Sequence, residues 1–315
     1  MENARPALRL VTEPSAASAP RTLGAVELVP GRVRAALLDV SGTVLQRAEA
    51  PYSPTADRGE IDAALGSAVE ACFRGTRPLG VGVAAAGLVD PDRGTIIEVN
   101  DVPALHGYPV TDVVGGLVGV PVHVEHRARL QVLGDRWFGP GRGRKAFASV
   151  STGDVLGVGL LYDGQVVAPS GGRSGAHMTV AASGEQCTCG AHGCWKTVAT
   201  TRWLRARAAS AGLGDAVTLH SLAQSADPTA IALIDEYAAN LALGLVNIQQ
   251  LFAPGLFVLH GEARQGGERF RKRIEQRLRV DSTWTTGERP QVLVSETSDD
   301  EVALLGGAGL VLSHG

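Results

Sequence analysis

The chain has 315 residues, of which 44% are hydrophobic and 19% are charged, and its formal net charge at pH 7 is -3. This length is enough for two lobes, because single hydrophobic cores usually stop growing at about 250 to 300 residues. The weakly acidic charge argues against a generally basic surface for nucleic acids. The chain lacks both a run of about 18 apolar residues and the apolar stretch of a secretory signal, so we expect a cytoplasmic protein without a membrane span.

The first third of the chain is predicted to be a tail followed by a small sheet. Residues 1–22 are rich in Pro, Ser and Ala, which is typical of a flexible tail or the remnant of a linker. The turn-forming segments PGR and SG then separate three short apolar-alternating runs, which predicts an antiparallel meander of LGAVELV, VRAALLDV and GTVLQRAEA. Helical spacing follows over about residues 55–73, and LGVGVAAAGLV and VPVHVE are predicted to be buried strands.

The rest of the chain repeats this order of strands and helices. Residues 128–138 have helical spacing and precede the predicted strand pair AFASVSTGD and VLGVGLLYDGQVV. Apolar side chains spaced by three or four residues predict a long amphipathic helix over 228–251, ending before Pro254. LFVLHGEA and QVLVS are predicted to be strands, and EVALLGGAGLVLS a closing helix.

Two similar halves predict an α/β protein of two lobes with a cleft between them. We expect a small lobe over residues 23–124, completed by the closing helix at about 300–315. The large lobe is then expected over 125–299.

Three of the four cysteines lie within nine residues, QCTCGAHGC, residues 186–194. A disulfide network fits poorly, because one sulfur of the loop would stay unpaired and Cys72 lies far upstream. With a histidine separated from the first thiol by nine residues, the loop offers the tetrahedral ligand set that zinc prefers: His177, Cys187, Cys189 and Cys194. No position would remain for a catalytic water, so the zinc would be structural. His192 competes as the fourth ligand, and reduced, unligated cysteines are the alternative.

The spacing H-x9-C-x-C-G-x-x-G-C resembles the zinc motif of the ROK family, which comprises repressors, open reading frames and sugar kinases. LLDVSGTVL is similar to the first phosphate loop of the family, VGVAAAGLVDPDRGTI to its core strand and turn, and VNDVPALHGYPV to the segment lining its sugar cleft. DGQVVAPSGGRSGAHMTV resembles the approach to the zinc histidine. The resemblance extends from about Leu23 to the carboxyl terminus. It implies the actin-like ATPase fold, a duplicated ribonuclease H-like α/β architecture, and assembly into homodimers or homotetramers.

The residues expected to transfer a phosphoryl group depart from the family pattern. ROK kinases carry E-N-D-x-N, in which the aspartate is the base that takes the proton of the sugar hydroxyl. In VEHRARL, Glu125 matches the glutamate, but Arg127 occupies the base position. Arginine stays protonated at physiological pH and cannot accept a proton. The resemblance therefore implies a site without a catalytic base.

The expected sugar cleft has exchanged acidic for basic side chains. The family patterns E-x-G-H and G-C-x-E are SGAH and GCWK in this chain. The candidate ligand-binding residues are Asn100, His126, Arg127, Arg129, Ser174 and Lys196. Because guanidinium forks match phosphate and carboxylate groups, we hypothesise a sugar phosphate or sugar acid as the ligand. Random drift after the loss of catalysis, with arginines extended into solvent, is the alternative.

The nucleotide side keeps only part of the family pattern. The candidate nucleotide-binding residues are Asp39, Gly42, Thr43, Thr152, Gly153 and Gly261. Residues 39–43 match a phosphate loop, although a plain strand-turn-strand hairpin explains them equally well. The second loop contains Asp154, whose carboxylate would repel ATP, so firm Mg-ATP binding is not expected. Asp135, another possible base, lies two helical turns, roughly 12 Å, beyond the base position, which is too far.

These patterns predict a ROK-type protein without sugar-kinase activity, similar to the sensor part of ROK transcriptional regulators. Its expected partner is a small-molecule sugar or sugar derivative. Only about 22 residues precede the first predicted strand and the basic stretch 139–145 is typical of a solvated loop, so we do not expect this chain alone to bind DNA. A divergent small-molecule kinase and a dimeric scaffold packed through the helix over 228–251 remain alternatives.

Overall fold

The computed structural model describes residues 21–53, 55–99, 102–168, 175–281 and 289–315. Residues 1–20 of the predicted tail and the candidate ligand residues Asn100 and Ser174 lie outside the described residues. The strands are β1 (Thr22–Val29), β2 (Arg32–Asp39), β3 (Val44–Pro51), β4 (Val81–Ala85), β5 (Leu88–Asp90), β6 (Thr95–Glu98), β7 (Val122–His126), β8 (Phe147–Thr152), β9 (Gly157–Tyr162), β10 (Gln165–Val166), β11 (Leu256–Gly261) and β12 (Gln291–Val294). The α-helices are α1 (Arg58–Phe73), α2 (Val110–Val118), α3 (Arg127–Phe138), α4 (Thr201–Ser210), α5 (Leu219–Ala223), α6 (Pro228–Phe252), α7 (Gly267–Asp281) and α8 (Asp299–His314).

The first sheet has the strand order β3-β2-β1-β4-β7. β1 pairs antiparallel with β2 and parallel with β4, so the predicted meander forms and is extended by parallel strands. Both faces of β1 are buried because its side chains alternate between two helical layers. Val26 and Leu28 belong to the core with α1 and α2, whereas Leu23 and Ala25 pack with α8.

The second sheet repeats this arrangement with the order β10-β9-β8-β11-β12. β8 pairs antiparallel with β9 and parallel with β11, which in turn pairs parallel with β12. Ala148 and Val150 of β8 face a core built mainly with α6 and α7, and Phe147 faces the side of α3. The chain therefore folds as two similar α/β lobes, as the sequence predicts.

Helix α6 is the long central helix of the second core. It begins after Asp227, whose carboxylate accepts the backbone N–H of Thr229 at 2.7 Å, and it carries Pro228 in its first turn. Within the described ranges, α6 is the one helix whose length and apolar composition would allow it to cross a membrane. Leu241 and Leu245 are completely buried in the second core, which identifies α6 as a core helix of the fold.

Helices α3 and α8 cross between the two sheets with their backbones in close contact. A Cβ atom at Gly306 would lie 2.6 Å from the carbonyl oxygen of Leu130, and one at Gly309 would lie 2.8 Å from that of Leu133. On the other side of α8, a Cβ atom at Gly82 would overlap the carbonyl oxygen of Gly307. Only glycine permits such an approach, so these positions fix α8 between the lobes.

Candidate functional site

A cleft of about 760 Å³ lies between the two lobes. Residues at or just beyond the carboxyl ends of parallel strands from both sheets line it, among them Ala86, His126, Thr152 and Gly261. Ligands of α/β proteins bind at this edge of a parallel sheet, because the connecting loops diverge there. The cleft is therefore the candidate ligand site of the molecule.

Most of the candidate residues meet in this cleft although they are far apart in the sequence. From the expected sugar side, it contains His126, Arg127, Arg129 and Lys196, and from the expected nucleotide side Thr152, Gly153 and Gly261. His177 of the predicted metal cluster also lines the cleft.

The turn between β2 and β3 does not belong to the cleft, contrary to the assignment of Asp39, Gly42 and Thr43 to a phosphate loop. The carboxylate of Asp39 accepts the backbone N–H groups of Ser41 at 2.8 Å and Thr43 at 2.9 Å. Hydrogen bonds from Ser41 and Thr43 lower the pKa of Asp39. A Cβ atom at Gly42 would lie 2.5 Å from the ring of Phe138. The hairpin alternative describes this segment, since its carboxylate holds the turn together.

The hairpin between β1 and β2 lines the cleft instead. It contributes Val29, Pro30, Arg32 and Arg34, which were not among the candidates. Two sequence features signal this hairpin: the turn residues Pro30 and Gly31, and an acidic residue, Glu27, inside an otherwise apolar strand. Two consecutive hairpins with glycine turns look alike locally, so the choice between them depends on the strand order.

Glu27 is the centre of a buried ion-pair network below the cleft. Its carboxylate is fully buried and accepts the Nε–H of Arg34 at 2.7 Å, and Arg34 Nη2 also contacts it. Arg127 Nη2 lies 3.2 Å from the second carboxylate oxygen of Glu27. The side chain at the expected base position is thus held in an ion pair with β1. Two guanidinium groups therefore share the one buried carboxylate of Glu27.

The first residues of α3 form a second set of paired charges. Glu125 Oε1 lies 3.2 Å from Arg129 Nη1 and accepts the backbone N–H of His126 at 2.6 Å. Burial raises the pKa of Glu125. Burial and then repulsion by Arg129 and Arg127 lower the pKa of His126 to about 4. His126 Nδ1 accepts the backbone N–H of Ala128 at 3.2 Å, so a neutral imidazole serves as the N-cap of α3.

We expect the substitution His126→Asn to weaken the dependence of stability on pH between about 6.5 and 4. The folded protein resists protonation of His126, whereas the unfolded chain binds that proton below its ordinary pKa of 6.5. Stability is therefore present above pH 6.5 and lost as the pH falls towards 4, by about 2 to 3 kcal/mol. Asparagine keeps an N-cap acceptor without titrating. Urea unfolding at several pH values measures the slope, and identical slopes for the two proteins would contradict the assignment.

The carboxylate of Asp154, in the loop between β8 and β9, is bound by other side chains of the protein. This carboxylate accepts the hydroxyl of Thr201 and lies 3.3 Å from Arg205 Nη1. Thr201 is the first residue of α4, and its backbone N–H donates to the carbonyl of Gly153 at 3.0 Å. A helix N-terminus favours an anion, so the carboxylate of the chain itself occupies the place where a phosphate group would be favourable.

A buried polar cluster lies between α3 and the ends of β8 and β11. Asp135 Oδ2 lies 2.8 Å from His260 Nε2 and accepts the hydroxyl of Ser149. On the same face, Ser151 donates to Gln131 Oε1 at 2.7 Å. The carboxylate of Asp135 is thus held by contacts in the protein interior.

The thiol loop forms a compact cluster with His177. The ligand atoms of His177, Cys187, Cys189 and Cys194 all lie within 4.8 Å of one another. Cys189 Sγ and Cys194 Sγ are 3.7 Å apart, and Cys187 Sγ lies 3.5 Å from His177 Nδ1. A tetrahedral zinc ion with ordinary bond lengths would place two sulfurs about 3.8 Å apart, and a sulfur and a nitrogen about 3.6 Å apart. The four residues therefore fit a metal ion.

The electrostatics of the cluster also favour a cation. Burial and the neighbouring thiols raise the pKa of Cys194 to about 12, because several thiolates repel one another in one place. A divalent cation removes this penalty. The competing ligand His192 contacts the carbonyl of Gly184 with its Nδ1 at 3.3 Å.

The cluster also positions one wall of the cleft. Cys194 is followed by Trp195, which is fully buried and donates its indole N–H to Asn240 of α6 at 3.0 Å. The backbone N–H of Lys196 donates to Ala176 at 2.9 Å. The metal loop is in this way connected both to the second core and to the cleft residues His177 and Lys196.

The sequence profile of the ROK family matches residues 24–314. A glucokinase of Thermotoga maritima is 28% identical over 209 residues, which are 60% of this chain and 65% of that protein. A xylose repressor of Caldicellulosiruptor bescii is 23% identical over 252 residues, which are 75% of this chain and 63% of the repressor. The alignments thus span just under two thirds of both relatives.

Solved structures of both kinds have the same fold. A ROK family glucokinase from Streptomyces griseus, solved with glucose and AMPPNP, has a TM-score of 0.75 and 26% identity, covering 93% of this chain and 99% of that chain. A ROK family transcriptional regulator, a homologue of the E. coli MLC protein, has a TM-score of 0.82 and 22% identity, covering 93% of this chain and 78% of the regulator. The architecture is that of the actin-like ATPase fold.

Proposed function

Since the chain belongs to the ROK family, we propose that it is a sugar-sensing member without a competent kinase site. Both glucokinases and xylose repressors are among its relatives, so the family alone supports either activity. The observation that carries the proposal is the ion pair between Arg127 and Glu27. A guanidinium at the position of the base cannot take the proton of a sugar hydroxyl.

The nucleotide half of the cleft supports the same proposal. Asp154 fills the start of α4 with a carboxylate, bound by Thr201 and Arg205. A triphosphate entering there has to displace this carboxylate and overcome its charge. Glu262 directly follows Gly261 after β11 and also lines the cleft, so a second acidic side chain borders this side of the cleft.

The ligand that we propose is a sugar or an acidic sugar derivative. Glu125 pairs with Arg129, and Glu27 pairs with both Arg34 and Arg127. Arg127 is the most accessible of these three guanidinium groups, since its side chain is 34% exposed and lines the cleft. A carboxylate or phosphate group on the ligand would find its counterion there.

We further propose that the metal of the His177 cluster is structural zinc. Four ligands complete its coordination, so it leaves no position for a reacting water. Its role is to hold the loop that carries Lys196 against the cleft.

We expect D-glucose, D-xylose or D-glucuronate, but not Mg-ATP, to raise the melting temperature of the protein. A ligand at 100 times its Kd stabilises the folded state by about 2.7 kcal/mol. Differential scanning fluorimetry measures the shift, and a coupled assay of ADP release is expected to stay at the blank rate with either neutral sugar. The Streptomyces griseus glucokinase serves as the active control.

Divergent kinase activity is the second candidate function, favoured by the presence of Thr152, Gly153 and Gly261 in the cleft. Sugar-dependent ADP release that rises with protein concentration would overturn the sensor proposal. Under that outcome, Asp154→Asn is expected to increase the apparent affinity for Mg-ATP, because it removes the competing carboxylate.

A further inference from the structure

Two buried polar atoms of residues that line the cleft have no hydrogen-bond partner among the described residues. They are Nδ1 of His260 and Nε2 of Gln131. The exposed fractions of these side chains are only 3% and 4%, and both residues line the cleft. Native proteins supply partners for nearly all buried polar groups, so these two atoms point to a bound group.

The surroundings of His260 decide which role its free nitrogen has. Nε2 lies 2.8 Å from the carboxylate of Asp135, so the proton of a neutral ring sits on Nε2. The second carboxylate contact, from the hydroxyl of Ser149, holds Asp135 in place. In this tautomer, Nδ1 of His260 presents a lone pair and acts as a hydrogen-bond acceptor.

The amide of Gln131 is oriented as a hydrogen-bond donor. The hydroxyl of Ser151 donates to Gln131 Oε1 at 2.7 Å, which determines the orientation of the amide. Nε2 is left to offer N–H groups, so Gln131 is a donor. The pair of side chains thus provides one acceptor and one donor from residues that line the cleft.

We propose that His260 and Gln131 together bind one hydroxyl group of the cleft ligand. A hydroxyl both donates and accepts, so it donates to His260 Nδ1 and accepts from Gln131 Nε2. A phosphate or carboxylate oxygen only accepts and would leave the His260 lone pair unmatched. The inference rests on the proposed sensing of a sugar and deepens it by naming the residues that read one hydroxyl.

The position within the fold supports a ligand group at this point. His260 lies next to the carboxyl end of β11, beside the parallel strand β8, where ligands of α/β sheets bind. A second cavity of about 20 Å³, which also reaches Thr297, touches the same two side chains. It is large enough for one water, which is the competing partner of the two atoms.

Two substitutions at His260 separate ligand binding from folding. Glutamine ends at about the distance of Nε2 and asparagine at about that of Nδ1. His260→Gln therefore keeps a donor to Asp135 and loses the acceptor in the cleft, whereas His260→Asn does the reverse. We expect His260→Gln to raise the Kd of D-glucose or D-xylose about tenfold at an unchanged melting temperature. His260→Asn is expected to keep the Kd within about threefold and to lower the melting temperature. Gln131→Met is expected to raise the Kd like His260→Gln.

Monodeoxy analogues of the sugar that binds identify the hydroxyl. Isothermal titration calorimetry gives the Kd of each analogue for the wild type and for His260→Gln. For the wild type, we expect one analogue to bind about tenfold more weakly than the parent sugar. For His260→Gln, the same analogue is expected to bind as well as the parent sugar, because the variant has already lost that hydrogen bond.

Three outcomes would overturn the inference. Unchanged sugar affinity in both His260→Gln and Gln131→Met would assign the two atoms to a water in the small cavity. If, for every deoxy analogue, the loss of affinity from the missing hydroxyl adds to the loss from His260→Gln, the residues act without touching a hydroxyl. If the wild type binds neither sugar, the proposed function fails, and this inference fails with it.

Discussion

Replacing Glu27 by glutamine is expected to lower the free energy of unfolding by about 3 to 5 kcal/mol. Glu27 is fully buried, and its carboxylate is the partner of both Arg34 and Arg127. Glutamine preserves the volume but removes the negative charge, so the buried guanidinium of Arg34 loses its ion pair with Glu27. A buried charge without a partner is far more costly than a broken surface pair.

Urea unfolding followed by circular dichroism measures this loss. The matched control is Glu70→Gln, which breaks an exposed pair with Arg74 whose side chains are 72% and 76% exposed. That change is expected to cost less than about 1 kcal/mol. A second substitution, Arg127→Gln, should recover part of the stability of Glu27→Gln, because it removes one of the two guanidinium groups that repel each other after the carboxylate is lost. Equal losses for Glu27→Gln and the control would contradict the buried network.

The substitution Cys194→Ser is expected to abolish stoichiometric zinc binding and to cost more than about 4 kcal/mol of stability. Cys194 is fully buried between the loop and Trp195, so the loss of the metal also loosens the packing of the second core. Zinc content by mass spectrometry and thermal unfolding with and without a chelator measure the two effects.

Cys72→Ala is the control for this experiment. Cys72 is buried in the first core, away from the metal cluster, and burial raises its pKa to about 11, as expected for an unligated thiol. Its replacement is expected to leave the zinc content unchanged and to cost about 1 kcal/mol. A wild-type protein that is purified without metal and melts alike with and without chelator would contradict the structural-zinc proposal.

Local patterns predicted many strands and helices of the fold, because strands and helices have sequence periods of two and 3.6 residues, but they did not predict helices α2, α4, α5 and α7. The meander of β1 to β3 and the long helix α6 were predicted from these periods. The family was predicted from the resemblance of the metal-ligand spacing and of several strand and loop motifs, which also implied the actin-like fold, and the comparisons confirm both.

The contacts that define the cleft could not be predicted in this way. Glu27 and Arg127 are a hundred positions apart, and their pairing depends on the order of strands in the first sheet. The same order brings the β1–β2 turn, and not the turn at Gly42, to the cleft. Asp135 and His260 come together only because α3 packs across β8 and β11.

The close packing of α8 has a consequence for synthesis of the protein. β1 is translated first and α8 last among the described elements, yet Leu23 and Ala25 of β1 are covered by Leu304 and Ala308 of α8. One face of the first lobe therefore stays open to solvent while the ribosome makes all of the second lobe. The usual order, in which an amino-terminal unit finishes folding during translation, is not available to this chain. Products of premature termination would expose that apolar face, which makes them substrates for chaperones and proteases.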